Sequence, residues 1–250
     1  MWKVLEPVET GPPGDFQLIR GIALKQKDRE ARDLETPEKH YWQIRLAHLK
    51  GALEANNFEV FIAEGSAEAR EIVLKHILPG TGARRISRGG SVTFFSTGLY
   101  EAIRENTELE FVEPFDEGLS SEERLARLRQ SLLVDLFITG TNAVTETGKL
   151  VNLDMVGNRA GAITFGPEYV VILVGRNKIV RDVEEAMWRI KNYVAPVNAM
   201  RLDQGTPCAK TSYCNECRGP ERICNTWTIT EKSYPKGRVK VVLVNEDLGL

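Results

Sequence analysis

From residue 36 onward the chain alternates amphipathic helical stretches with short apolar strands. This alternation constrains the fold more than any other feature. "TPEKHYWQIRLAHLKGALEANN" starts a helix with Thr36 as N-cap and Pro37 behind it. Tyr41, Ile44, Leu46, Leu49 and Leu53 recur on its apolar face. "FEVFIAE" reads as a strand, and "SAEAREIVLKHIL" as a helix capped by Ser66. "RRIS", "LEFVEPF" and "VDLFITG" are strands, separated by the helices "TGLYEAIREN" and "LSSEERLARLRQSLL". Ser120 and Glu123 have the spacing of a capping box. Neighbouring parallel strands need long crossovers, and helices between strands supply them. The pattern predicts an α/β domain with a mainly parallel sheet.

After residue 140 the style changes. "NAVTETGKLVNLD" predicts a hairpin turning at Thr147 and Gly148, and "YVVILVG" a buried strand. "VRDVEEAMWRIKNYV" predicts a helix with Val183, Met187, Ile190 and Val194 on its apolar face. "TWTITEK" and "RVKVVLVNEDLG" are late strands. Residues 1–35 read as an N-terminal extension: "VETGPPGD" is rich in turns, and "ALKQKDREARD" suits a short exposed helix. The extension is either an arm packing against a partner subunit or a partly ordered tail. Residues 36–250 form the α/β domain and include a cysteine loop at 206–225.

A chain of 250 residues is long enough to bury a substantial core. Its formal charge of −2, with both signs interspersed, gives no field for nucleic acid or an anionic membrane. No apolar run suits membrane insertion. "MWKVLEPVETGPPGDF" lacks the basic start and apolar core of a secretory signal, so a cytoplasmic location is expected.

Three stretches carry the chemistry. "SRGGSVT" follows a strand and offers Gly89, Gly90 and Ser91, with Arg88 as a nearby charge. Its glycines either let backbone amides approach an anion or simply form a tight turn. It matches neither the nucleotide P-loop nor the dinucleotide fingerprint. Residues 139–167 crowd Asn142, Glu146, Asn152, Asp154, Asn158 and Arg159 between apolar strands. They form either a site lining at strand ends or a turn-rich connector. His40, His48 and His76 lack metal-binding spacing and read as surface or packing residues.

The third stretch is "TPCAKTSYCNECRGPERICN", which holds all four cysteines. Cys214 and Cys217 form a C-x-x-C pair, flanked by Cys208 and Cys224. Four thiols this close suit one metal centre, zinc or an iron–sulfur cluster. A zinc ribbon pairs two C-x-x-C knuckles, and only one is present, so the spacing leans toward a 4Fe–4S cluster. Disulfides fit poorly with a cytoplasmic chain.

Together "RGGSVT", "TNAVTETGKLVNLD", "GNRAGAITFGPEYVVILVGRNKIV", "APVNAMRL", the cysteine stretch and "VVLVNEDLG" resemble the lactate-utilisation (LUD) domain family, in its short single-domain branch with a C-terminal cysteine loop. The resemblance spans about Glu38 to the C-terminus. It implies a Rossmann-like α/β/α sandwich similar to the sugar-phosphate isomerase and CoA-transferase superfamily. It also implies a link to L-lactate oxidation through iron–sulfur complexes. The chain departs from the lactate-complex pattern in its own thiol loop and in its N-terminal extension.

The first functional expectation is an iron–sulfur redox protein, an oxidoreductase or a subunit of one, serving oxidation of a small organic acid. Gly89, Gly90, Ser91, Asn142, Asn158 and Arg159 would bind the anion, with Arg159 forking onto a carboxylate. Glu146 would be catalytic. Cys208, Cys214, Cys217 and Cys224 would hold the cluster, on the same side of the sheet as the cleft. The reading leaves room for redox partner subunits and for a homo-oligomer. The second expectation is a non-redox isomerase or acyl/CoA-transfer enzyme using Glu146 as nucleophile or base. The third is a regulatory or assembly protein stabilised by zinc.

Overall fold

A computed structural model describes residues 35–250. The expectations for residues 1–34, including the helix in "ALKQKDREARD", lie outside the described residues. The chain divides into two compact units, Met1–Tyr41 and Trp42–Leu250. All the elements from β1 onward, and most of the first helix, belong to the second.

The elements alternate much as the apolar pattern predicts. Helix α1 (Glu35–Ala55) leads to strand β1 (Glu59–Ala63). Helix α2 (Ser66–Ile72) continues through a π turn (Val73–Ile77) into α3 (Leu78–Thr81). Then come β2 (Arg85–Arg88), α4 (Val92–Ser96), α5 (Leu99–Arg104), β3 (Glu110–Val112), α6 (Ser121–Gln130) and β4 (Leu136–Gly140). The hairpin is β5 (Ala143–Thr145) and β6 (Leu150–Asp154). It is followed by α7 (Asn158–Thr164), β7 (Tyr169–Gly175), β8 (Ile179–Val180) and α8 (Val183–Arg189). A second π turn (Ile190–Val194) joins α8 to α9 (Ala195–Arg201). Helix α10 (Pro207–Thr211) opens the cysteine loop, and β9 (Thr226–Thr230) and β10 (Val239–Val244) close the fold.

Among the described residues six strands form a fully parallel sheet in the order β1–β10–β7–β4–β2–β3. Side chains alternate across its two faces, as strand geometry requires. Val170, Ile172 and Val174 of β7 pack with Leu46, Leu49 and Leu53 of α1 and with Ala162 and Ile163 of α7. Val171 and Leu173 pack with Ala69 and Ile72 of α2, Phe94 of α4 and Leu99 of α5. Helices therefore cover both faces of the sheet. Fold class and layering agree with the expected α/β/α sandwich.

A feature beyond that expectation is a second sheet, ordered β8–β5–β6–β9. Val144 and Leu150 turn one of its faces to the main core. Ala143, Val151 and Leu153 turn the other to Ala186, Ile190 and Val194. The predicted hairpin pairs Val144 with Leu150 and turns through Gly148, whose φ is +76°. Backbone of Ala52 and Leu53 lies 2.8 Å from where a Gly148 side chain would begin, so glycine serves both the turn and the contact.

Several local expectations shift. Tyr41 and Ile44 are exposed, so the buried stripe of α1 is Leu46, Leu49 and Leu53. Helix α1 already includes Glu35, placing Thr36 inside its first turn. Gly65, not Ser66, occupies the cap position of α2, and the Ser66 amide donates to Glu246 Oε2 at 3.0 Å. Met187 is exposed and Ala186 takes the core position on α8, because burial follows the side facing β5 and β6. The Ser120–Glu123 capping box is present as predicted. His40, His48 and His76 are exposed. No helix among the described residues is long and apolar enough to cross a membrane.

Candidate functional site

The chain order within the parallel sheet reverses between β2 and β4. The path from β2 leads outward to β3, while β4 leads to β7 and then β10 on the other side. Ligands of open α/β sheets bind outside the carboxyl ends of strands at such a point. A cleft of about 220 Å³ opens there. Gly90 and Ser91 line it from the end of β2, and Gly140, Thr141 and Asn142 from the end of β4. Asp154, Asn158 and Arg159 come from the β6–α7 junction. Asn198 and Arg201 of α9, together with Cys224, complete the opposite wall.

Two adjacent strands cross between sheets at this cleft. Residues 141–142 carry β4 into β5, and Arg176–Lys178 carry β7 into β8. Beyond the crossing the two chains pair again, Val144 opposite Ile179. Lys178 stands at the crossing and is 3% exposed. Its Nζ donates to Thr93 Oγ1 at 2.8 Å and to the Thr141 carbonyl at 3.2 Å. Both acceptors are neutral. Burial, followed by repulsion from Arg159 and Arg189, lowers the Lys178 ammonium from 10.5 to about 7.

The predicted anion-binding residues divide. Gly90, Ser91, Asn142, Asn158 and Arg159 line the cleft. Gly89 sits behind it, where a β-carbon would come within 2.4 Å of Thr139 Oγ1. Ser91 caps α4, its Oγ accepting from the Phe94 amide at 3.3 Å. Arg88 points elsewhere: it pairs with Glu113 at 2.9 Å and stacks among Phe95, Tyr100 and Phe115. Arg159 does not offer an open fork. Its Nε donates to Asp154 Oδ1 at 2.8 Å, and an Nη donates to Asn142 Oδ1 at 2.8 Å. The second Asp154 oxygen accepts from the Ala160 amide at 2.7 Å. Arg159 therefore fixes the wall more than it reaches into the cleft.

Glu146 does not share the cleft. It follows β5 at the hairpin tip and pairs with Arg45 of α1 at 2.5 Å. Four residue steps along extended chain separate it from Asn142, a span of about 13 Å. The expected grouping of Glu146 with residues 89–91 is corrected accordingly.

All four cysteines line a second, smaller pocket of about 20 Å³, beside Lys191, Glu216 and Arg222. The C-x-x-C turn places Glu216 in the left-handed region, at φ 49°. Lys191 holds that carboxylate at 2.9 Å and Arg222 at 3.5 Å. Arg222 also donates to the carbonyls of Cys217 at 2.5 Å and Cys224 at 2.8 Å, tying the loop closed. Burial pushes the Cys224 thiol up to about 11; Lys191 opposes this, and Cys214 and Cys208 add to it. Among the described residues no three His, Cys, Asp or Glu side chains converge on a single-ion position. The four thiols share this one pocket. The donor set suits soft metals. A mononuclear zinc site needs a tighter tetrahedron, whereas a cluster that binds each thiolate through its own iron takes a wider ring.

The two cavities share a wall. Cys224 lines both of them. Ile223 also lines the cleft, and the Asn225 amide donates to the Asp154 carbonyl at 3.0 Å. The cysteine loop thus lies on the cleft side of the sheet.

Sequence reasoning missed Lys178, Thr93 and Arg201. A lysine after an apolar strand reads as a solvated end. The available signal was its place in "ILVGRNKIV", between two apolar strand segments.

The LUD domain family model matches residues 46–244. A DUF162 family protein from Deinococcus radiodurans is a structural neighbour, 17% identical, with a TM-score of 0.48, covering 82% of this chain and 98% of its own. Ribose 5-phosphate isomerase A from Methanocaldococcus jannaschii is another, 19% identical, with a TM-score of 0.32, covering 66% of this chain and 76% of its own. No curated protein matches the chain.

Proposed function

Because the chain belongs to the LUD domain family, which is linked to lactate utilisation, we propose that it serves the oxidation of a small organic acid. In this reading the cleft binds the acid as its anion, and the cysteine loop holds a 4Fe–4S cluster beside it. The observation that carries the reading is Cys224, which lines both the cleft and the thiol pocket. A ligand in the cleft would then touch a cluster ligand's own residue.

The cleft's charge supports an anion. Lys178 and Arg201 line it, and the carboxylate of Asp154 is occupied by Arg159. Asn158 and Asn198 add polar groups for orientation. Ile190, Val194 and Leu250 supply an apolar wall that suits a short carbon chain. The cluster would supply one-electron transfer. Cys208, Cys214, Cys217 and Cys224 would be its ligands, while Arg222 and Lys191 stabilise the loop that carries them.

The test is anaerobic reconstitution with iron and sulfide. The expected product is brown, with broad visible absorbance lost in Cys214→Ser and Cys217→Ser. A colourless protein that retains zinc and no iron would move the loop to the structural-zinc reading.

A further inference from the structure

Lys178 has three donor protons and, among the described residues, uses two of them, on Thr93 Oγ1 and the Thr141 carbonyl. Its residue lines the cleft, where a third donor is available. Ser91 Oγ accepts from the Phe94 amide and keeps its own proton to donate. Gly140 lies between them. A β-carbon on Gly140 would stand 2.7 Å from Ser91 Oγ and 3.7 Å from Lys178 Nζ. Any side chain there would fill the space that both donors reach.

We propose that Lys178 Nζ and Ser91 Oγ, on either side of the side-chain-free Gly140, form the site for one carboxylate of a small organic acid, and that this carboxylate binds together with a proton. The proposal rests on the reading of the cleft as an anion site and names the ligand group and its proton partner. Two donors match the two oxygens of a carboxylate.

The proton follows from the surroundings of the amine. Arg159 on α7 and Arg189 on α8 face it with like charge. Arg159 is engaged by Asp154, and Arg189 donates to the carbonyls of Asn142 and Asn177 at 3.0 and 3.1 Å. Arg201 and Cys224 stand on the same cleft wall. With the amine held near 7 by burial and these cations, part of the population is neutral at physiological pH. A carboxylate opposite it favours the charged form, so binding draws a proton from solvent.

Calorimetry tests this on the whole chain, with pyruvate as ligand, at pH 6 to 9, in two buffers of different ionisation enthalpy. Wild type should take up a proton on binding. Its affinity should fall by up to about tenfold per pH unit above neutrality. Lys178→Met should weaken binding at pH 6 by at least about tenfold and lose the pH slope, and Lys178→Arg should bind without that slope. Ser91→Ala should weaken binding severalfold while keeping it. Pyruvate binding with no proton uptake, or with the same slope in Lys178→Met, would overturn the proposal and leave the anion cleft standing. Inorganic phosphate binding as tightly as pyruvate would overturn the carboxylate assignment. If pyruvate, L-lactate and phosphate all fail to bind at every pH, the anion reading falls and takes this proposal with it.

Discussion

Lys178 and Arg159 line the same cleft, yet burial treats them in opposite ways. Arg159 is partnered by Asp154, itself 6% exposed, and by Asn142. Removing it strands a buried carboxylate, so Arg159→Ala should cost about 3 kcal/mol or more in denaturant unfolding. Among the described residues Lys178 has no acidic partner, and its amine is held at about 7 against an ordinary 10.5. Between those values the unfolded chain binds a proton that the fold does not. Stability therefore rises with pH through that window, and the full penalty is present below about 7. Lys178→Met should flatten this rise and stabilise the ligand-free protein at pH 6, by an amount on the order of a few kcal/mol. A Lys178→Met protein less stable than wild type at pH 6 would contradict the burial argument. These roles were only partly legible beforehand. Asn142, Asn158 and Arg159 stood out because polar residues crowded between apolar strands. Lys178 did not, because nothing local in "RNK" says that two neighbouring strands cross there. Glu146 stood out in the same polar stretch, at the hairpin tip, and strand geometry carries it away to Arg45.

At the scale of elements, most of the fold was legible, because period and capping are local signals. The Ser120–Glu123 capping box formed as its spacing predicts, with the Ser120 amide donating to Glu123 at 2.8 Å. Ser120→Ala should cost about 1 kcal/mol by denaturant unfolding. The face of α8 was less legible. Helical period alone allowed Met187 inward, but the helix meets the small sheet through Ala186 and Ile190. Ala186→Leu should therefore overpack the interface and destabilise by about 1–3 kcal/mol, while Met187→Ala should stay within about 0.5 kcal/mol. Equal losses from both would place the helix in a different rotation. The small sheet itself was hidden: its hairpin β5–β6 was predicted, but β8 is two residues long and β9 returns from a distant stretch of sequence. Both π turns lie just before a proline inside a helix, Pro79 and Pro196. Widening the turn relieves the clash of the ring with the preceding carbonyl. The second of them places Ile190 and Val194 on the cleft wall.

For the whole molecule, the arrangement that matters is a cleft at the sheet's reversal point sharing Cys224 with a pocket of four thiols. The grouping of the cysteines was legible from spacing, whereas their position relative to the cleft depended on the return of the chain after α9. The shared wall makes the two sites report on one another. Gly140→Ala, which obstructs the cleft floor, should abolish pyruvate binding and leave reconstitution of the thiol pocket intact, as read by iron content. Cys217→Ser should remove iron and spare pyruvate binding. The most direct measurement is the electron paramagnetic resonance spectrum of the anaerobically reconstituted, reduced protein, recorded with and without pyruvate. The account predicts a cluster signal whose line shape changes when the cleft is filled. A protein that takes up no iron, or a cluster signal indifferent to saturating pyruvate, would contradict it.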